Sequence, residues 1–84
     1  MHKSIVNLFE LNEALQSKLP KGFVLGPWFD PPNRLTKVAF ISYRNIREPV
    51  EVSYWNLKMR SLEEQYRYIL DQVLEAAQRL NDHF

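Results

Sequence analysis

Cysteine is absent, and its absence excludes disulfides, thiolate nucleophiles and zinc–thiolate sites. Glycine occurs only as Gly22 and Gly26, too few for a phosphate-cradling glycine loop. Histidine is as scarce: His2 and His83 stand near the two ends of the chain, where side chains are hard to hold in productive geometry. If those ends met, two imidazoles would bind metal only adventitiously, because no spacing supplies a third ligand. No apolar run approaches the roughly 20 residues that span a bilayer. Charged and polar residues also break up MHKSIVNLFELNEALQ, unlike the apolar stretch of a signal peptide. A cytoplasmic protein on the scale of a bacterial or phage accessory protein is expected.

Catalytic groupings are missing as well. No serine has a partner pattern for nucleophilic catalysis. Glu63 and Glu64 are adjacent, so on a helix they point in different directions, and capping and the helix dipole account for both. The expectation is therefore a protein that is not an enzyme, with no cofactor and no metal.

What is present is ordinary globular material: 84 residues, 45% hydrophobic and 25% charged, enough for one domain with a single core. The net charge of +1 argues against a dedicated polyanion binder. It is unevenly spread, with nine Lys/Arg against five Asp/Glu in residues 1–61 and two against five in residues 62–84.

The pattern predicts a helix over residues 4–19, starting at Ser4 or Asn7. Asn7 and Glu10 have capping-box spacing, and Pro20 with Gly22 stops the helix. Ile5, Leu8, Phe9, Leu11, Leu15 and Leu19 form its apolar face; Asn12, near the middle, is read as a boundary residue, a buried Asn there either satisfying backbone groups or fixing a register. Strands are predicted over 22–29, kinked at Gly26-Pro27, then 35–44 and 49–57. Asp30-Pro-Pro-Asn33 makes the first turn and Asn45-Ile-Arg-Glu48 the second, with Pro49 opening the third strand. Ser61-Leu-Glu-Glu64 is a capping box ahead of a helix over 61–83, whose stripe runs from Leu62 through Ile69, Val73, Ala77 and Leu80 to Phe84. Tyr68 projects from that helix's polar side. The fold class is α+β in the order α-β-β-β-α, a three-stranded antiparallel sheet with two helices packed on one face.

That order is shared with the double-stranded-RNA-binding domain, and Gly26-Pro27 superficially resembles the Gly-Pro of that family's second loop. The family relies on lysines at the start of its last helix. Here Ser61-Leu-Glu-Glu-Gln65 holds that place, and carboxylates there repel phosphate, so the chain is not assigned to it.

Two helices cover only one face of a three-stranded sheet. Strand alternation is read with Val38, Phe40, Val50, Val52 and Tyr54 facing the helices, the swap of the two faces being the alternative, which also leaves large aromatics outside. Lys37, Ala39, Ile41, Tyr43, Trp55 and Leu57 are then left on a far face too apolar for ordinary solvated surface. The expected interaction surface comprises Trp28, Lys37, Ile41, Tyr43, Arg44, Trp55, Leu57 and Tyr68. Its expected partner is a second copy of the chain, as a homodimer, or another protein. Nucleic acid is the alternative, with aromatics stacking on bases and Arg34, Lys37, Arg44, Arg47, Lys58 or Arg60 meeting phosphates.

Overall fold

The computed structural model describes residues 5–32 and 35–84. Four sequence-based expectations fall on residues outside that range: the helix start at Ser4, the turn residue Asn33, the phosphate contact Arg34 and the terminal His2.

Helix α1 runs over Leu8–Ser17, shorter at both ends than expected, because the Asn7 carboxamide caps it by accepting from the Phe9 and Glu10 N–H groups. Leu8 and Leu15 are buried, but Phe9 is 86% exposed. It lies about 100° around the helix from Leu8, off the core stripe. Past α1 the chain turns through Gly22, whose φ of +91° and close approach to the Tyr43 ring leave no room for a side chain.

The sheet has the order β1-β2-β3, antiparallel throughout, with β1 at Val24–Leu25, β2 at Thr36–Tyr43 and β3 at Ile46–Ser53. The second turn is Arg44-Asn45, not Asn45 to Glu48. Both residues have positive φ, 50° and 68°, as a two-residue primed hairpin requires. Pro49 therefore sits inside β3 rather than opening it. There it is tolerated because β3 is an edge strand and alternation from the turn points its nitrogen away from β2.

β1 is far shorter than residues 22–29. Val24 and Leu25 pair with Ser42 and Ile41, and Phe29 then bridges Val38 through two 2.9 Å hydrogen bonds. The register slips by one residue between these pairings, so Pro27 and Trp28 together stand opposite Ala39. This is a β-bulge at the Gly26-Pro27 kink. It turns Trp28 toward the core and Phe29 to the other face.

The third strand ends at Ser53 because the Ser53 hydroxyl caps a short helix, α2 (Tyr54–Lys58), accepting from the Asn56 N–H. The predicted strand over 54–57 is thus helical, and it places Trp55 and Leu57 off the sheet. Helix α3 (Leu62–Asn81) begins with the expected capping box, Ser61 and Glu64 each accepting from the other's N–H. Ile69, Val73, Ala76, Ala77 and Leu80 bury its stripe, while Leu62 and Leu74 remain exposed. The fold is α+β as expected, with both long helices on one face and α2 added at the corner.

The face assignment is reversed on β2. Ala39 pairs with Val50 and Ile41 with Glu48, so Ala39, Ile41, Val50 and Val52 form the helix-facing side with Leu8, Leu15, Phe23 and Leu25. Val38 and Phe40 point the other way. Within the core Gln65 is completely buried: its carboxamide accepts from the Val6 N–H at 2.9 Å and donates to the Arg60 carbonyl at 3.0 Å. Replacing Gln65 by Leu orphans both backbone groups. Urea unfolding is expected to register a loss of about 1–3 kcal/mol, against about 1 kcal/mol for removing the α3 cap with Ser61→Ala.

Candidate functional site

The sheet has one covered face and one open face. On the open face β3 contributes Arg47, Pro49 and Glu51, all exposed, and β2 contributes Ser42, Phe40 and Val38 directly across from them. The first strand segment adds Val24, 55% exposed, and, after the bulge, Phe29, 47% exposed. Phe29 and Phe40 stack with ring centroids 6.0 Å apart, and the Arg47 guanidinium lies 4.8 Å over the Phe40 ring. Val38 beneath them is only 6% exposed. The result is an apolar, aromatic strip across three strands, carrying one positive and one negative side chain.

Both edges of this sheet are partly occupied by side chains. On the β1 side, the Gln16 carboxamide of α1 donates to the Phe23 carbonyl (2.7 Å) and accepts from the Leu25 N–H (2.8 Å), taking the place of a fourth strand. Asn12, one helical turn earlier, donates to the Gly26 carbonyl and accepts from the Trp28 indole N–H. On the β3 side, Pro49 offers no N–H and its carbonyl accepts from Arg79 Nη2 at 2.9 Å. Arg79 is held there by Glu48, 3.1 Å from its Nε, and His83 lies 3.3 Å from the other Glu48 oxygen. Edges guarded in this way template an added strand poorly.

The residues singled out from sequence do not form one surface. Ile41 and Leu57 are fully buried, Ile41 because its face of β2 meets the helices and Leu57 because α2 turns it inward. Trp28 and Lys37 are half-buried along a groove of about 740 Å³ beside α1. Their polar atoms bond within the protein, Trp28 to Asn12 and Lys37 to Asp30 at 2.9 Å. Tyr43 and Arg44 lie at the hairpin end. Tyr43 stacks on Phe23 at 4.7 Å and meets Phe84 edge-on at 5.3 Å, with Arg44 over both the Tyr43 and Phe84 rings.

Tyr68, expected to project from a polar face, has its hydroxyl tied to α2. It accepts from the Ser53 N–H at 3.0 Å and lies 3.4 Å from Asn56 Nδ2. Trp55 is 62% exposed on α2, with the Lys58 ammonium 5.8 Å from its ring. Phe29, Phe40 and Val24 are not among the expected surface residues, and Arg47 is expected there only as a phosphate contact; the alternation of β2 read from the Arg44-Asn45 turn is the signal that finds Phe40.

Among the described residues no group of three or more His, Asp or Glu side chains is placed to hold a metal ion, and no helix is long and apolar enough to cross a membrane. Compared with protein-family models, curated proteins and solved structures, the chain matches none of them.

The Arg79 hydrogen bond, then that of His83, holds the Glu48 carboxyl below its ordinary value of 4.5. A carboxylate with a lowered folded-state pKa stabilises the fold above its unfolded value, and that contribution disappears as pH falls through the folded one. Glu48→Gln is therefore expected to unfold more easily than the parent at neutral pH. The gap should close as acid protonates Glu48 below pH 4.5, as read by thermal melts across the acid range. A gap that persists unchanged in acid would contradict this.

Proposed function

We propose that the protein works without catalysis, as a contact module whose working surface is the open face of its sheet, and that this face takes a protein partner. One observation carries the reading: Val24, Phe29, Phe40 and Pro49 line the uncovered face above a buried Val38, while side chains occupy part of both sheet edges. Guarding the edges serves a monomer and a dimer alike; what asks for a partner is the half-exposed Phe29 stacked on Phe40 on a face that no helix covers. A partner's side chains gain an aromatic anchor there, and aromatics and Arg are what the centres of protein interfaces use. A cysteine-free chain needs no oxidising compartment, and we place this activity in the cytoplasm.

Nucleic acid is the second reading, favoured by the Phe29–Phe40 stack with Arg47 beside it, which offers a base a platform. The charge on the face favours protein, since its described residues pair one arginine with one glutamate. A strand-tracking groove needs several unopposed cations.

A photoreactive phenylalanine analogue at position 40, used in living cells, tests the choice. A discrete protein adduct is expected, lost when Val24→Asp is added in the same chain and absent when the analogue stands at position 55. Adducts to nucleic acid from position 40, or equal yields from positions 40 and 55, overturn the proposal. Labelled single strands should show no salt-dependent anisotropy change at low ionic strength.

A further inference from the structure

The open face is self-complementary. Take the Phe40–Pro49 pair as its midline. Two residues toward the hairpin along β3 stands Arg47, and two residues the other way stands Glu51, each about 7 Å from the midline at strand rise. On the β1 side Val24 stands level with Ser42, and so with Arg47; Phe29 stands level with Val38, and so with Glu51. At the midline itself β1 carries Gly26, which has no side chain to occupy the space beside Phe40.

We infer that the partner for this face is a second copy of the chain, docked sheet to sheet about a two-fold axis crossing the strands at the Phe40–Pro49 level. The inference rests on the open face being the working surface. That axis stacks each strand on its own counterpart with direction reversed. Arg47 then meets Glu51 of the partner subunit, and the same contact repeats on the other side of the axis. Val24 meets the partner's Phe29, and the two Phe40 rings meet at the centre beside the space that Gly26 leaves, each Arg47 guanidinium turning from its own Phe40 ring to the partner's Glu51. Packed sheets lie about 10 Å apart, a gap that Arg and Glu side chains bridge together.

The other two-fold in the same plane, running along the strands, sets β3 over β1. It would press Arg47 onto Val24 and Glu51 onto Phe29, burying charges against apolar groups. Only the crossing axis satisfies both the charges and the aromatics. The face measures roughly 26 Å along the strands by 15 Å across them. That footprint, about 800 Å² over both partners, falls below the usual range of specific interfaces, so a weak dimer dissociating in the high micromolar range is expected.

Sedimentation velocity on the purified chain, from low micromolar concentration upward, is the test. The parent is expected to shift from monomer to dimer. Arg47→Glu and Glu51→Arg should each weaken the dimer about tenfold or more, since the axis doubles every like-charge contact. The double variant R47E/E51R restores complementarity and should recover the parent's affinity. Mixing the two single variants should yield a heterodimer tighter than either homodimer, as expected of any dimer that uses this face, and recovery by the double variant is what identifies the axis.

All three charge variants change exposed positions, and circular dichroism is to check that each is folded. A parent that stays monomeric throughout overturns the second-copy inference while leaving the protein-contact reading intact. A dimer that survives Phe40→Asp but is lost with Trp55→Glu overturns both. Failure of the double variant to recover affinity overturns the assigned axis, and failure of the mixture to do so overturns docking through this face.

Discussion

The Arg44-Asn45 turn sets the register of the β2–β3 hairpin, and the identity of both sheet faces follows from it. A strand's side chains alternate with period two, so a hairpin shifted by one residue exchanges every core residue for a surface one. With both turn residues at positive φ the loop closes on the Tyr43–Ile46 pair, and Ala39 is brought opposite Val50. Ala39 and Ile41 are then committed to the helices, and Val38 and Phe40 to the open side. The pair of stacked phenylalanines, the guanidinium over Phe40 and the position of Glu51 all depend on that one turn.

Side-chain amides complete what so short a β1 leaves unfinished. Two residues of ladder hold little by themselves, yet Gln16 supplies the donor and acceptor that a neighbouring strand would give, and Asn12 ties down the bulge. Gln65 does the same for the segment entering α1, at complete burial. Each of these groups is satisfied at both its donor and its acceptor, the condition under which buried polar side chains fix one arrangement instead of costing stability.

The helix N-caps, the α+β class and the antiparallel meander were legible because their signals are local: Ser61 with Glu64, Asn7, and the alternation from Val50 to Ser53. The face of β2 was not legible from its own residues. Val38-Ala-Phe-Ile41 is apolar at every position, so periodicity is silent and only the register decides. Even the turn expected from Asn45 to Glu48 sets Val50 opposite an odd-numbered residue of β2; grouping Val38 and Phe40 with Val50 and Val52 overlooked that parity. Trp55 and Leu57 were misplaced for a different reason. Tyr54-Trp-Asn-Leu57 alternates well enough to continue a strand, and the competing signal was a single serine, Ser53, in a capping position. The Tyr68 hydroxyl finds its partner only because α2 folds back across α3, a tertiary fact with no trace in the helical wheel.

The contrast between guarded edges and an open face bears on what kind of association the fold permits. Strand edges pair by head-to-tail addition, which need not close and so propagates into fibres. Pro49 and Arg79 on one side, and Gln16 on the other, obstruct that route. A face is different, because two copies that cover each other's face about a two-fold leave no further face to offer. An 84-residue chain has one modest core, and an added layer against its second sheet face is the cheapest extension of that core available to it. The placement of an arginine and a glutamate at equal distances from the Phe40–Pro49 midline does nothing for the isolated chain's core. It distinguishes one docking direction from its reverse, which is the use a polar pair has at the margin of an apolar contact.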